Sequence, residues 1–221
     1  MIIMRCGTVV ACLMLCISVS ASGCVTEYTD TDNTNNTHDN EVHKMIDMSN
    51  KTILMVIAPS DFRDEELFVP KEFFEKNGAE VVIASEKKGT ANGMLGGTAS
   101  IDLSISDADT SDYDAVVFVG GTGIESHKLY ENEIYLKLAT DAENSKKIIG
   151  AICLGPMVPA GAGVLSGKNA TVSESGTSYI TGKGARYTGA EVTRDGRIIT
   201  GVGPHAAEEF ARTVSKALTH E

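Results

Sequence analysis

One cysteine of this chain stands where a chemically active side chain is often placed. Residues 148–152 form a short apolar run, Cys153 follows directly, and Gly155-Pro156 comes next. This pattern predicts a buried strand that stops at a sharp turn just before a helix. A thiol on such a turn lies near the N–H groups of the helix start, which favour a negative charge. We therefore expect a lowered pKa and a nucleophile or oxidation sensor; the alternative is an inert buried cysteine.

Two further features follow apolar runs that are typical of strands. Glu66 lies beyond the run 53–58, and Gly120-Gly121-Thr122 follows the run 115–119. Ligands of parallel sheets gather at the carboxyl ends of the strands, so these residues and Cys153 are expected to share one crevice. The amides of Gly121 and Leu154 would stabilise an oxyanion there. The alternative for the glycines is a plain tight turn, since the glycine spacing of dinucleotide and phosphate loops is absent.

The positioning elements are predicted from the alternation of apolar runs with helical patterns over residues 51–221. Such alternation predicts a single α/β domain, with a mostly parallel sheet and helices on both faces. Asp64 is expected to cap the first helix, and residues 206–218 are expected to form the last one. Asp195-Gly196 is typical of a hairpin turn.

The first residues of the chain are typical of a targeting segment and not of a folded domain. Residues 8–19 are mostly apolar and follow the single charge of Arg5, and the run is too short to span a bilayer. This is typical of a secretory signal, here residues 1–23. Residues 21–23 (ASG) before Cys24 resemble a lipobox, which predicts lipid attachment at Cys24 and a membrane-anchored protein facing outside the cytoplasm. The alternative is a secreted protein in which Cys24 is incidental.

Composition and charge limit the kinds of partner that the mature chain is expected to bind. Residues 24–50 are predicted to be a disordered tether, since the stretch 29–37 contains no apolar residue. The formal net charge is −11, and loss of Arg5 with the signal leaves −12. This balance argues against nucleic acid and anionic membrane surfaces as partners. Cys24 and Cys153 would be the remaining cysteines, so no disulfide framework is expected.

Four motifs in order resemble the ThiJ/PfpI family, also called the DJ-1 superfamily, over residues 52–219. They are residues 61–67 (DFRDEEL) with Pro70, 115–121 (AVVFVGG), 151–156 (AICLGP) and 195–201 (DGRIITG). The resemblance implies a flavodoxin-like three-layer sandwich, often a homodimer, with a nucleophile-elbow cysteine; neither a cofactor nor a metal is expected. It also implies that Cys153 is the reactive cysteine, Glu66 the buried glutamate that hydrogen-bonds its sulfur, and Gly121 part of the oxyanion turn.

The chain departs from this family where a histidine is expected. Peptidase-like members carry histidine directly after the elbow cysteine, where this chain has Leu154. Members that lack it often carry a histidine further along, beyond the elbow helix, but the corresponding residues 171–175 contain none. His205 follows the Gly203-Pro204 turn that borders the family's cysteine pocket, so it is a candidate replacement. The alternative is a solvated histidine at a helix start. Thr122 and Pro204 are expected to line the pocket.

These features predict a cysteine-dependent enzyme that acts on small reactive carbonyls or glycation adducts, as a glyoxalase or deglycase. A peptidase acting on peptides is the least expected enzyme because the adjacent histidine is missing. Two non-catalytic functions also fit the pattern, an oxidative-stress sensor and a binding module on the cell surface. Burial would favour the protonated form of Glu66, so we expect a neutral carboxyl at neutral pH.

Overall fold

The computed structural model describes residues 46–219. The predictions for the signal, for Cys24 and for residues 25–45 of the tether lie outside the described residues. Met48, however, is fully buried, and its N–H donates to the carbonyl oxygen of Asn77 at 2.8 Å. The folded part therefore begins before the predicted boundary at Lys51. Within residues 46–219, no helix is both long and apolar enough to cross a bilayer.

The described strands and helices alternate along the chain. The strands are β1 (Thr52–Val56), β2 (Ser60–Phe62), β3 (Glu80–Ser85), β4 (Gly89–Gly93), β5 (Thr98–Ile101), β6 (Leu103–Ser104), β7 (Ala115–Phe118), β8 (Ile148–Ile152), β9 (Asn169–Ala170), β10 (Arg186–Tyr187), β11 (Val192–Asp195) and β12 (Ile198–Gly201). The helices are α1 (Asp64–Lys76), α2 (Gly123–Ser126), α3 (Glu133–Asn144), α4 (Met157–Gly161), α5 (Thr177–Gly182) and α6 (Ala207–Thr219).

Seven of these strands form the central sheet, in the order β11-β12-β8-β7-β1-β3-β6. Neighbouring strands are parallel except in the β11–β12 hairpin. Helices α1 and α6 pack against one face of the sheet, and α3 and α4 pack against the other. The predicted α/β three-layer fold is confirmed.

Both faces of the sheet are covered by helices, and its central strands β1, β7 and β8 are apolar except for Thr52 at the start of β1. Ile53 of β1 packs in the same cluster as Phe210 of α6, whereas Leu54 packs in the cluster that contains Leu138 of α3. Successive side chains of a strand point to opposite faces, so a strand covered on both faces needs no polar position. Because these neighbouring strands run parallel, their carboxyl ends lie together at one edge of the sheet.

A second, three-stranded sheet, β2-β4-β5, contributes to that edge. Asp64 does not cap α1 as predicted: its carboxylate accepts the N–H groups of Leu95 at 2.8 Å and Gly97 at 2.7 Å. The cap position of α1 is Arg63, which makes no side-chain capping bond. The N–H of Met94 also donates to the oxygen of Phe62 at 2.9 Å. These bonds fix the β4–β5 turn beside the start of α1.

Phe210 offers a test of how the layers support β8. The ring is fully buried, and a Cβ atom on Gly150 of β8 would come 2.9 Å from its Cζ atom. We expect Phe210→Ala to lower the free energy of unfolding by about 3–5 kcal/mol, measured by urea denaturation, because it leaves a cavity under β8. The exposed Lys216→Ala on the same helix should change it by less than about 0.5 kcal/mol. A loss as small for Phe210→Ala would contradict this packing.

Candidate active site

Cys153 lies at a backbone turn between β8 and α4. Its φ is 59°, a left-handed conformation that side chains other than glycine adopt at a cost of roughly 1 kcal/mol or more. Its N–H donates to the oxygen of Gly201 at 2.9 Å, and its carbonyl oxygen accepts the N–H of Ser173 at 3.0 Å. The thiol is half-buried. Neighbouring chain segments therefore hold the turn on both sides, with part of the thiol left accessible.

Glu66, in the first turn of α1, is fully buried and lies beside this turn. A Cβ atom on Gly120 would come 2.5 Å from Oε2 of Glu66 and 2.6 Å from Cβ of Cys153. Gly120 follows β7 closely, so the absence of a side chain there is what lets the carboxyl group and the cysteine approach each other. The structure thus brings together three of the residues that the sequence predicted for the site.

Burial dominates the protonation of Glu66. Neither of its carboxyl oxygens has a well-formed hydrogen bond among the described residues, and burial raises its pKa to about 7, against the ordinary 4.5. The nearby Cys153 thiol, the Arg63 charge and the Gly120 amide oppose this rise without cancelling it. The direction agrees with the expectation from sequence. A carboxyl group with a pKa near neutral can take up and return a proton under physiological conditions.

The thiol itself departs from the expectation of a lowered pKa. Burial raises the pKa of Cys153 to about 12, and the charge of an ionised Glu66 contributes to the rise. The N–H groups of Gly121 and Leu154 favour the ionised sulfur and lower its pKa. Their effect is smaller than that of burial. Near neutral pH the pair is therefore a protonated thiol beside a carboxyl group that is ready to accept its proton.

A cleft of about 220 Å³ opens above the pair. Its lining residues are Arg63, Glu66, Met94, Gly121, Thr122, Glu125, Cys153, Leu154, Ser173, Ser175 and Pro204. The sequence predicted six of these positions, including Thr122 and Pro204. Gly120 lies beneath the cleft as the spacer between Glu66 and Cys153 rather than in its lining.

Five lining residues were not predicted as site residues from the sequence. Met94 belongs to the β4–β5 turn, and its sulfur accepts the N–H of Thr122 at 3.4 Å. Arg63 forms two hydrogen bonds with Glu65, Nε to Oε2 at 2.7 Å and Nη2 to Oε1 at 3.1 Å. Its position three residues before Glu66 was a sequence signal that pointed towards the site. Ser173 and Ser175 lie within residues 171–175, where the family resemblance pointed to a histidine, but neither serine was predicted to line the cleft. Glu125 comes from a segment that has no local sequence signal for a place at the cleft.

His205 is not among the residues that line the cleft. Its side chain is 65% exposed, and its Nε2 lies 3.9 Å from Oε1 of Glu191. Pro204, its neighbour, does face the cleft. The arrangement is that of a solvated histidine at the start of α6, and a catalytic role for His205 stays a prediction without a structural contact. Within residues 46–219, no cluster of three or more His, Cys, Asp or Glu side chains is arranged to hold a metal ion.

The coupling of thiol and carboxyl group can be tested by alkylation of the full-length protein. We expect the midpoint of the Cys153 rate–pH profile to lie above the ordinary thiol value of 9.0. In Glu66→Gln, which removes the charge and keeps the shape, the midpoint should fall by about one unit or more. Glu72→Gln, on the exposed side of α1, should leave it unchanged. A wild-type midpoint below 7 would instead place the negative charge on the sulfur and the proton on Glu66.

The same carboxyl group should make stability depend on pH. The unfolded chain releases this proton near pH 4.5, but the folded chain releases it near pH 7. The folded state therefore binds the proton more tightly, and stability is lost as pH rises between these values. Glu66→Gln removes the loss, so its unfolding free energy relative to wild type should rise by about 3 kcal/mol from pH 4.5 to pH 8. Parallel pH dependence of the two proteins, measured by urea denaturation, would refute this assignment.

Comparison with known proteins places this geometry in a family. The model of the DJ-1/PfpI family matches residues 51–217. An uncharacterized protein of Methanocaldococcus jannaschii is 38% identical over 210 residues, which cover 94% of this chain and 96% of that protein. The crystal structure of a ThiJ/PfpI domain protein from Brachyspira murdochii superposes with a TM-score of 0.76 at 34% identity. It covers 78% of this chain and 99% of the other.

More distant relatives carry names of different activities. A deglycase of Thermococcus kodakarensis is 29% identical, with 75% of this chain and 98% of that protein covered. A glutathione-independent glyoxalase of Caenorhabditis elegans is 27% identical, with 76% and 89% covered. A Bacillus subtilis relative with a cysteine-protease name is 32% identical, with 72% and 94% covered. These names differ in activity although each relative matches a similar share of this chain. The family model and the relatives together show that this chain belongs to the DJ-1/PfpI family.

Proposed function

We propose that this protein is a cysteine-dependent enzyme that acts on small reactive carbonyl compounds and early glycation adducts. The observation that supports it best is the placement of the Cys153 thiol in a small cleft, beside a carboxyl group with a pKa of about 7 and two backbone N–H groups. The cleft volume of about 220 Å³ suits a ligand of a few heavy atoms. Relatives named as a deglycase and a glyoxalase agree with this chemistry.

The first step is addition of the thiol to the carbonyl carbon. Ionised Glu66 takes the thiol proton as the C–S bond forms, and the carbonyl π electrons move to the oxygen. The N–H groups of Gly121 and Leu154 stabilise the negative oxygen, which then receives the proton back from Glu66. The product is a hemithioacetal on Cys153.

A 2-oxoaldehyde can then be converted without an external oxidant. Glu66 removes the proton from the carbon that bears sulfur and returns it to the neighbouring carbon, while the hydroxyl proton of the first carbon passes to the oxygen of the second. The first carbon is thereby oxidised to a thioester and the second is reduced to an alcohol. Water hydrolyses the thioester, which releases a 2-hydroxy acid and the free thiol. A glycation adduct enters this sequence when the sulfur replaces the amine: the C–S bond forms, the C–N bond breaks, and the amine leaves with the proton that Glu66 took from the thiol.

The lining of the cleft favours this chemistry over peptide hydrolysis. Leu154 stands where a histidine would follow the cysteine, and none of the cleft-lining residues is a histidine. An amide nitrogen is a poorer leaving group than the carbinolamine nitrogen of a glycation adduct, so its expulsion depends more on a proton donor placed beside it. Glu66 already holds the thiol proton, and it lies at the floor of the cleft beside the sulfur. A carbonyl addition needs just this one proton carrier.

Turnover of methylglyoxal to lactate by the full-length protein tests the proposal. Cys153→Ser should lower kcat/KM by about 10³-fold or more because the nucleophile is lost, while His205→Ala should keep wild-type activity. Thermal unfolding of both variants controls for folding.

Two different outcomes would point elsewhere. Cleavage of an unstructured protein such as casein, lost in Cys153→Ser, would favour a peptidase. An inactive wild-type protein that gains about 32 Da at Cys153 with peroxide, two oxygens of a sulfinate, would favour an oxidation sensor.

A further inference from the structure

The turn that carries Gly121 is packed directly against β2 and Arg63. The φ of Gly121 is 110°, a conformation that residues other than glycine rarely adopt. A Cβ atom there would collide with the carbonyl oxygen of Asp61 and come 2.5 Å from the backbone N of Arg63. The N–H of Arg63 also donates to the oxygen of Gly120 at 3.1 Å. The position of the Gly121 N–H, which favours the ionised sulfur of Cys153, therefore depends on how these two segments are held together.

Helix α2 follows this turn and depends on its neighbours for support. It is four residues long and has no side-chain cap, and a helix this short is not stable on its own. The N–H of Ile124 donates to the oxygen of Gly121 at 3.2 Å, and the N–H of His127 donates to the oxygen of Gly123 at 3.1 Å. The side chain of Ile124 is buried, and a Cβ atom on Gly123 would collide with the carbonyl oxygen of Ser60. Helix α2 thus lies directly on β2.

A hydrogen bond between two side chains joins the end of α2 to the start of β2. Nε2 of His127 lies 2.9 Å from Oγ of Ser60, and the same Oγ donates to Oδ2 of Asp61 at 3.0 Å. A carboxylate can only accept, so the hydroxyl proton goes to Asp61 and Nε2 of His127 donates its own proton to the hydroxyl oxygen. Asp61 has a φ of 56°, the left-handed conformation that Asp adopts more often than most residues. One chain of hydrogen bonds therefore connects the two segments that meet at Gly121.

We propose that His127 is a positioning residue that, together with Ser60, holds the end of α2 against β2 and so keeps the Gly121 turn in place. His127 is exposed and does not line the cleft, so it acts through the backbone. Without the bond the turn can shift, and the Gly121 N–H then stabilises negative charge in the cleft less well. The effect on turnover rests on the proposed function, whereas the effect on the Cys153 thiol requires no substrate.

Two amide side chains in place of His127 test this role in the full-length protein. The amide nitrogen of glutamine is as many bonds from Cβ as Nε2 of histidine, so His127→Gln keeps a donor for Ser60, whereas the asparagine side chain is too short to reach it. In His127→Asn we expect the midpoint of the Cys153 alkylation rate–pH profile to rise by about 0.5 unit. Its kcat with methylglyoxal should fall about three- to tenfold with little change in KM. His127→Gln should keep the wild-type values in both measurements.

Two further variants separate this bond from a general effect of surface substitution. Ser60→Ala removes the other half of the bond and should reproduce the effect of His127→Asn, and the double variant should show no larger effect than either single one. His205→Asn is the matched control, because His205 is an exposed histidine that lies beside Glu191. It should leave the midpoint unchanged.

The midpoint decides the inference independently of turnover. A wild-type midpoint in His127→Asn, or an equal rise in His127→Gln, would overturn the positioning role, while methylglyoxal turnover by the wild type would still support the proposed function. The expected midpoints in a protein that does not turn over methylglyoxal would support the positioning role and overturn the proposed function.

Discussion

The site depends on one buried carboxyl group held against one thiol. Glu66 is fully buried, and neither of its oxygens has a well-formed hydrogen bond among the described residues. Burial of such a carboxyl group costs a few kcal/mol of stability, and an apolar side chain of similar size at this position would avoid the cost. The carboxyl group lies beside Cys153, and Gly120, which has no side chain, leaves room for the two to approach each other. The left-handed backbone of Cys153 and the raised pKa of Glu66 are therefore two features of the same packed pair of residues.

The rest of the fold keeps this arrangement in place. The parallel arrangement brings the ends of β1, β7 and β8 to a common edge. The Cys153 N–H donates to the oxygen of Gly201 and the Cys153 oxygen accepts the N–H of Ser173, and these bonds hold its backbone in the left-handed conformation. Asp64, two residues before Glu66, ties the start of α1 to the β4–β5 turn. Sites supported in this way by rigid elements keep their geometry better than sites carried by free loops. The cleft is therefore part of the scaffold rather than an addition to it.

Much of this arrangement could be predicted from local sequence. Continuous apolar runs are typical of strands buried on both faces, and a cysteine followed by Gly-Pro indicates a sharp strand end. The lowered pKa predicted for Cys153 was wrong because an N–H group near a helix start is a local feature, whereas burial is a sum over the whole fold. The cap predicted for Asp64 was wrong for a similar reason, since its partners are some 30 residues away. Met48 owes its place in the fold to contacts that no local pattern records.

The protonation of the pair limits which reactions the cleft can support. Because the thiol and Glu66 share one site, their protons titrate as a pair, and one group cannot serve as a base while the other donates independently. The amides of Gly121 and Leu154 can stabilise charge, but they cannot transfer a proton. A reaction suited to this cleft is therefore one in which Glu66 takes the thiol proton and transfers it to the bound substrate. Addition to a carbonyl followed by internal proton transfer meets that condition, whereas an amide nitrogen leaves only with a proton donor placed beside it, and Glu66 lies beside the sulfur at the floor of the cleft.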